Sequence, residues 1–420
     1  MRCVFLSNYY PPHALGGYEM WCRDVAEELV RRGHEVSVLT SRSANLPALA
    51  FDAGVAVHRR LVLEVEGGLV STIVRMLVGR QRAERQSLAS LRNLLREFSP
   101  DVALTWGMWN ISRIVPASLE QLLPGRVAYY LCDYWPTLPN AYVQRWREPA
   151  RRSSMSFLKK RLATVALPRL EAQRHPDLRM ELPLCVSRAL RDGLRERGSG
   201  VANARVLLGG IQVERFEKSR TEDLSSSSSL RLVYLGRLAA EKGVHTAIEA
   251  VRLAGTTGGL PVTLDIIGSG DRGYAATLTE AVARNGLQKV VTFHGAIDHQ
   301  NVPAILRTFH ALLFPSEWDE PFPRVVLEAM ASGLAVIGTS RGGTSEVLAD
   351  EVTGLVFPAG DAPSLADRIR RLGDDAELRQ RLVTEAYRRV RRDFNFERMV
   401  NDIESALAGL AGERPAAVSS

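Results

Sequence analysis

The chain has 420 residues, of which 45% are hydrophobic and 24% charged, and its formal net charge is +7. This length exceeds one ordinary hydrophobic core and predicts two domains, and the composition excludes disordered and fibrous proteins. No apolar run approaches the roughly 20 residues of a membrane span. The four cysteines contain no C-x-x-C pair, which indicates neither a zinc site nor a disulfide framework and favours a reducing, cytoplasmic location.

The first half of the chain is predicted to alternate strands and helices, which indicates a parallel sheet covered on both faces. Its first apolar stretch is too short for a signal peptide and predicts a strand. The predicted strands are 3–7, 34–40, 102–106, 127–131 and 184–187, and the predicted helices are 18–32, 87–98, 111–121 and 188–197.

A charged segment and five serines, Ser225–Ser229, predict a linker, after which the alternation begins again. The predicted strands are 230–235, 262–267, 290–293 and 311–314, and the predicted helices are 244–254, 274–285, 302–308, 324–331, 377–392 and 397–407. We therefore expect a first domain over 1–210, a linker over 211–229, a second domain over 230–395, a crossing helix over 396–411 and a frayed tail over 412–420.

Two glutamates stand eight residues apart in FPSEWDEPFPRVVLEAMASGLAVIGTSRGGTSE, which runs from Phe314 to Glu346. Glu320 lies in a loop after a predicted strand. Glu328 lies on the buried side of the following helix, with Val325 and Ala329. A buried carboxylate needs hydroxyl or amide partners, because burying an unpaired charge is costly. A sugar ring and a ribose both offer such hydroxyls.

The turn GRLAAEKG, from Gly236 to Gly243, follows a strand and opens a helix. Backbone N–H groups and the helix dipole favour an anion at such a position. Arg237 and Lys242 could then close on a diphosphate, the first as a fork and the second as a point charge. The alternative is an ordinary strand-to-helix turn with solvated charges.

The glycines 268, 270 and 273 form a literal G-x-G-x-x-G after a predicted strand, which is typical of dinucleotide sites. The next strand ends on His294 and Gly295, without the acid that would bind a ribose. The sequence therefore argues against a nicotinamide cofactor.

The two glutamates and GRL-x-x-EKG together resemble the signatures of the family-4 retaining glycosyltransferases, and the resemblance is strongest from Leu230 to Phe357. It implies an α/β protein of the GT-B fold, with two Rossmann-like doubly wound domains facing a cleft and a C-terminal helix that returns to the first domain. It also implies transfer of a hexose from a nucleoside-diphosphate sugar to an acceptor hydroxyl, with retention, no metal and no other cofactor.

The resemblance also assigns the site residues. Arg237 and Lys242 would stabilise the leaving diphosphate, Glu328 would bind the ribose, and Glu320 would hold the transferred sugar. Gly16 and Gly17 would close over the diphosphate from the first domain, where the alternative is a loop without a ligand. The remaining donor-binding positions are Gly236, Gly295, Ala296, Ile297, Phe322, Pro323, Arg324 and Val325, with the base held by main-chain groups of the 295–297 turn.

Three positions depart from the family pattern. Pro323 stands where family members often have glycine, and Gly209 stands where they often have asparagine. Cys132, directly before Asp133, stands where they often have histidine. Asp133 is our replacement for the missing polar group, and the alternative is a carboxylate that caps its own loop. No second carboxylate is placed as a nucleophile, which favours a front-face reaction over double displacement.

The segment 144–174 carries nine basic and two acidic residues, a surplus equal to the net charge of the chain. Apolar residues interleave these charges, which indicates an interfacial helix on an anionic membrane or acceptor. The alternative is a solvated helical face over the core. Nucleic acid is not expected as a partner.

The sequence leaves the sugar, the base and the acceptor open, and the acceptor could be a glycan, a lipid or a small molecule. Polysaccharide, glycolipid or glycoconjugate biosynthesis is the expected setting. The alternatives are a GT-B sugar phosphorylase, a nucleotide-sugar epimerase, or an inactive nucleotide-sugar-binding scaffold, for which Cys132 and Pro323 are the grounds.

Overall fold

A computed structural model describes residues 1–14, 16–66, 79–147, 153–172, 176–201, 203–217, 229–255 and 260–412. The chain divides into two compact units. The first unit comprises residues 1–186, 191–207 and 400–420, and the second comprises residues 187–190 and 208–399.

The first unit is built on an eight-stranded sheet with the strand order β3-β4-β2-β1-β5-β6-β7-β8. Its strands are β1 Arg2–Leu6, β2 Glu35–Ser41, β3 Leu49–Asp52, β4 Val55–Leu61, β5 Val102–Thr105, β6 Val127–Leu131, β7 Leu182–Cys185 and β8 Arg205–Val206. Its helices are α1 Gly17–Arg31, α2 Arg80–Phe98, α3 Ile114–Leu122, α4 Ala141–Arg147, α5 Ser153–Glu171 and α6 Arg188–Glu196, the last of which begins in the second unit.

The strands of this sheet pair in parallel except for β3, which forms an antiparallel hairpin with β4. The central strands β1, β5 and β6 are buried along nearly their whole length, as expected for a sheet covered on both faces. The hairpin was not predicted. It turns through Ala53 and Gly54, whose φ angles of 46° and 84° fit a tight hairpin turn.

The second unit is built on a six-stranded parallel sheet with the strand order β11-β10-β9-β12-β13-β14. Its strands are β9 Leu230–Leu235, β10 Val262–Ile267, β11 Val291–Gly295, β12 Ala311–Phe314, β13 Ala335–Gly338 and β14 Leu355–Val356. Its helices are α7 Val244–Ala254, α8 Arg272–Arg284, α9 Val302–Leu306, α10 Arg324–Ala331, α11 Ala362–Asp374 and α12 Ala376–Asp393. The strand order reverses between β9 and β12, and doubly wound sheets bind ligands at the carboxyl ends of the strands beside such a reversal.

The last helix, α13 Phe396–Ala411, begins in the second unit and belongs to the first from Val400 onward. The Glu404 carboxylate holds it there, because it accepts hydrogen bonds from Arg32 at 2.6 Å and from His34 at 2.7 Å. The predicted return of this helix to the first domain is therefore confirmed.

The expected linker over 211–229 is wrong in its first part. Ile211 and Val213 are buried, and the Ile211 amide donates to the Phe394 carbonyl at 2.9 Å, so this stretch packs within the second unit. The predicted serine linker lies outside the described residues except for Ser229, and the predicted tail lies outside them except for Gly412. None of the described helices is long and apolar enough to cross a membrane.

Candidate functional site

Three loops of the second unit meet at the carboxyl ends of β9, β12 and β13. The Glu317 amide donates to the Glu241 carbonyl at 2.9 Å, which joins the loop after β9 to the loop after β12. The Gly343 amide donates to the Glu320 carbonyl at 2.6 Å, which joins the loops after β12 and β13. The predicted signatures, far apart in sequence, thus form one hydrogen-bonded surface beside the strand reversal.

Glycine is required where these loops touch. Gly243 has a φ of +66°, and a Cβ atom there would lie 2.0 Å from the Pro315 carbonyl oxygen. A Cβ atom on Gly343 would lie 2.2 Å from the Pro321 carbonyl oxygen. A larger residue at either position would push the loops apart, so these glycines fix the distance between GRLAAEKG and the segment that carries Glu320.

Lys242 and Glu320 meet in this surface. The Lys242 ammonium group forms an ion pair with the Glu320 carboxylate. The Ser316 hydroxyl donates to the same carboxylate at 2.7 Å, and Glu320 is only 8% exposed. The structure therefore brings two of the predicted catalytic residues into direct contact.

Arg237 lies on the same loop as Lys242, and 59% of its side chain is exposed. Its guanidinium group donates to the Glu241 carboxylate of the same loop at 3.0 Å. The Arg237 main chain is fixed, because its carbonyl accepts a hydrogen bond from the Tyr234 hydroxyl at 2.8 Å. The side chain is thus an exposed cation on a fixed backbone.

Glu328 is buried in α10, as predicted, and its Oε1 atom accepts from Arg324 at 3.0 Å and from His299 at 2.9 Å. Burial alone would raise the pKa of this carboxyl, but the hydrogen bonds from His299 and Arg324 lower it below its ordinary value. The Glu328 carboxylate is therefore ionised at neutral pH and held in one orientation.

The 295–297 turn follows β11, and Gly295 has a φ of +71°. The Gly295 carbonyl accepts from the Gly268 amide at 2.7 Å, while Ala296 is exposed and Ile297 half-buried. Cβ atoms on Gly268 and Gly270 would lie 1.8 Å and 2.1 Å from carbonyl oxygens of the 236–243 loop. The G-x-G turn therefore needs glycine to pack against that loop.

The remaining predicted donor-binding residues stand at the start of α10. Phe322 is buried, and its ring centroid lies 5.8 Å from that of Phe394. Pro323 directly precedes the helix, while Arg324 and Val325 are half-buried in its first turn.

In the first unit, Gly16 caps α1 and Gly17 is its first residue. The Gly16 amide donates to the Glu19 carboxylate at 2.9 Å. The φ angle of Gly16 is −156°. Its backbone is extended because it enters the helix through the bond to Glu19.

Asp133 follows β6, and its carboxylate accepts from the Trp135 amide at 2.9 Å. This is the contact of a loop-capping carboxylate. Burial raises the pKa of Asp133 to about 6, the bond from Trp135 opposes this, and the nearby Glu19 charge adds to it. Burial also raises the pKa of the Cys132 thiol, so Cys132 is a neutral group beside Asp133.

Fewer basic side chains of segment 144–174 are exposed for contact with an anionic partner than the sequence indicates. Lys159 is buried, and its ammonium group donates to the Arg145 carbonyl at 2.8 Å. Trp146 is also buried, in a small apolar cluster with Tyr142, Val143 and Leu170. These contacts match the alternative of a helical face over a core; Arg151, Arg152 and Arg174 lie outside the described residues.

Among the described residues, no group of three or more His, Cys, Asp or Glu side chains is placed to hold a metal ion. All four cysteines lie in the described part of the chain and are buried thiols.

Comparison with known families decides the classification. The model of glycosyltransferase family 4 matches residues 15–215, and the model of glycosyl transferases group 1 matches residues 215–389. The chain belongs to glycosyltransferase family 4.

Several known proteins are similar to this family-4 chain in sequence or in fold. The glycogen synthase of Mycobacterium tuberculosis is 32% identical over 231 residues, which cover 54% of each protein, so the chain spans about half the length of this curated relative. Among solved structures, the sucrose-phosphate synthase of Thermosynechococcus elongatus has a TM-score of 0.73 at 20% identity, with 98% of this chain and 100% of that one covered. The Anabaena protein HepE, solved with UDP and glucose, has a TM-score of 0.68 at 20% identity, with 97% and 100% covered. The fold of the family-4 chain is GT-B.

Two residues of this family-4 chain that hold predicted site residues were missed by the sequence analysis. Glu19 is fully buried and lies three residues after the helix-capping Gly16, a spacing that predicts the bond it makes. His299 holds Glu328, and no pattern in the sequence indicated it, because the two residues lie on different elements.

Proposed function

We propose that this chain transfers a hexose from a nucleoside-diphosphate sugar to an acceptor hydroxyl, with retention at the anomeric carbon and without a divalent metal. The observation that carries the proposal is the contact of Lys242 with Glu320 beside the strand reversal of the second unit. A cation and a carboxylate held together there suit a ligand that joins a diphosphate to a sugar. The glycogen synthase relative and the UDP-glucose complex of HepE support the same ligand class.

In this proposal, each charged group acts on one part of the donor. Lys242 and Arg237 stabilise the diphosphate as its charge grows in the transition state, and such electrostatic stabilisation commonly contributes more to catalysis than any other single effect. The ionised Glu328 carboxylate accepts from the ribose hydroxyls. Glu320 accepts from hydroxyls of the transferred sugar and orients the reacting carbon.

The main chain of the 295–297 turn holds the base. The segment from Phe322 to Val325, which leads into α10, lies along the sugar and diphosphate. Pro323 cannot donate a main-chain hydrogen bond there, so neighbouring amides carry that part of the contact. Gly16 and Gly17 bind the donor diphosphate, and Asp133 supplies the polar group that Cys132 lacks. The reaction is front-face, with the leaving diphosphate itself accepting the proton of the acceptor.

The test is product analysis with a panel of nucleoside-diphosphate hexoses, with water or added sugars as acceptor. The proposal predicts release of nucleoside diphosphate and a product with the anomeric configuration of the donor, which proton NMR reads directly. Glu320→Gln should lower the rate of transfer. A product of inverted configuration would contradict retention. Formation of a new nucleotide sugar would indicate an epimerase. A requirement for phosphate would indicate a phosphorylase, and binding of the donor without turnover would indicate an inactive scaffold.

We also propose that the protein is cytoplasmic and that segment 144–174 contacts an anionic membrane at its surface. This second proposal rests on the positive charge of the segment. Each Lys or Arg near an anionic bilayer contributes about 1 kcal/mol. Arg161 is exposed and Lys159 is buried, so the contact would run through Arg161 rather than Lys159. Vesicle co-sedimentation tests it: binding should weaken with salt and in Arg161→Ala, and equal pelleting on neutral and anionic vesicles would contradict it.

A further inference from the structure

A group of buried polar side chains lies at and just beyond the carboxyl ends of β1, β2 and β4 in the first unit. Among the residues that the structure describes, certain of its polar atoms have no hydrogen-bond partner. They are the Tyr10 hydroxyl, Nδ1 of His13, the Thr40 hydroxyl, and Nε and Nη1 of Arg59. We call these four residues the Arg59 cluster.

The backbone brings these residues together. Thr40 on β2 is paired in register with Arg59 on β4, so the two side chains project from the same face of the sheet. Arg59 donates through Nη2 to the Pro11 carbonyl at 2.7 Å, which places the loop after β1 against the guanidinium group. Tyr10 and His13 form a bridge within that loop.

The energetic problem centres on Arg59, which is only 6% exposed. Burying a cation without a charged partner is strongly unfavourable. Asp52 is the carboxylate whose charge acts on Arg59, but it is exposed, and no ion pair joins the two in this fully described pair of strands. Burial correspondingly lowers the pKa of the Arg59 guanidinium. An anion among these side chains would remove the penalty.

We propose that the Arg59 cluster binds an oxyanion, a carboxylate or phosphate group of a small molecule. Arg59 supplies the charge, and the hydroxyls of Thr40 and Tyr10 donate hydrogen bonds. Its place at the carboxyl edge of a doubly wound sheet is where such sheets bind ligands. The inference does not depend on the proposed sugar transfer.

The test measures thermal unfolding of the full chain in sodium phosphate, sodium acetate and sodium chloride at matched ionic strength. Phosphate or acetate, but not chloride, should raise the Tm of the wild type by about 2–4 °C, because a ligand of the folded state stabilises it. The more effective oxyanion identifies the class of ligand. A rise in Tm caused by phosphate bound to the second unit is distinguished with Arg237→Ala, because this variant removes that part of the rise.

Arg59→Met is the decisive variant, and Arg60→Met is its control, because Arg60 is the exposed neighbour on the same strand. Arg59→Met should unfold at a higher temperature than wild type in chloride and show no oxyanion-dependent rise, while Arg60→Met should behave as wild type. Thr40→Val, which is isosteric, should fold and reduce the rise. If Arg59→Met keeps the full rise, or if neither oxyanion raises the wild-type Tm, the cluster does not bind an oxyanion.

Discussion

Two buried glutamates of the second unit are held in different ways, and this difference predicts different kinetics. Glu328 is fixed by Arg324 and His299, whereas Glu320 pairs with Lys242. Glu328→Gln should raise the Kd for nucleoside diphosphate, because a lost ribose contact acts on ground and transition states alike. Glu320→Gln should chiefly lower kcat. Calorimetric titration beside steady-state kinetics measures both, and similar changes in the two variants would contradict separate roles.

His299 acts through Glu328, so its replacement can distinguish positioning from packing. His299→Gln retains an amide that can donate to the carboxylate, and His299→Leu retains only bulk. A hydrogen bond to a charged group contributes about 1.5–3 kcal/mol, so the leucine variant should bind nucleoside diphosphate about tenfold or more weakly. The glutamine variant should restore most of the affinity. Equal affinities in the two variants would show that His299 does not position Glu328.

Asp133 predicts a pH-dependent stability, because burial raises its pKa from 3.8 to about 6. A raised carboxyl pKa stabilises the folded state below pH 3.8, and this contribution is lost as pH rises through 6. Since one pKa unit corresponds to about 1.4 kcal/mol, the loss is about 3 kcal/mol. Asp133→Asn should therefore be more stable than wild type at neutral pH. Urea unfolding on either side of this range tests it, and parallel pH profiles of the two proteins would contradict it.

At the scale of elements, the close contacts of glycines between loops hold the candidate site in place. Gly243 and Gly286 have nearly equal φ angles, +66° and +67°, but only the Cβ atom of an alanine at 243 would meet a carbonyl oxygen. Gly286→Ala should cost about 1–2 kcal/mol for the left-handed backbone alone. Gly243→Ala should cost more and also weaken nucleotide binding, because the 236–243 loop moves away from Pro315. Denaturant unfolding and titration measure both effects, and retained affinity in Gly243→Ala would separate this loop from the site.

Element boundaries were predictable where a strand is mostly apolar and bounded by polar or glycine-rich turns. The predicted strands 230–235, 262–267 and 311–314 match the observed ones, because their side chains are mostly buried in a covered sheet. Strand β3 was missed because it lies at an exposed edge, where Phe51 is 76% exposed and no alternation marks a buried face. The burial of Lys159 in segment 144–174 was not predictable, because charge alone does not show which basic side chain bonds to a main-chain carbonyl.

At the scale of the whole molecule, the sequence contained the residues of the candidate site but not their partners. Glu320 and Lys242 were predicted for one site through the family resemblance. Their direct contact depends on β9 lying beside β12, an order that periodicity does not encode. The contact of His299 with Glu328 and the Arg59 cluster likewise arise from packing between elements that are distant in sequence.

The return of α13 to the first unit was predictable from the family resemblance. The hydrogen bonds that hold the helix there were not predictable. Glu404 accepts from Arg32 and His34, residues near the other end of the chain. Burial alone would raise the pKa of Glu404, but its bonds to His34 and Arg32 lower it below the ordinary value. Within the first unit, α13 is therefore held by a carboxylate that stays ionised well below neutral pH.

The central claim is that the loops after β9 and β12 bind a nucleoside diphosphate, and calorimetric titration tests it most directly. UDP, GDP and ADP would be titrated into wild type, Arg237→Ala and the control Arg252→Ala, whose arginine pairs with Glu249 on the outside of α7. One nucleotide should bind wild type and the control equally, and about tenfold or more weakly to Arg237→Ala, because a charge-assisted hydrogen bond is lost. Equal affinity for all three proteins, or binding of none of the nucleotides to wild type, would contradict the account.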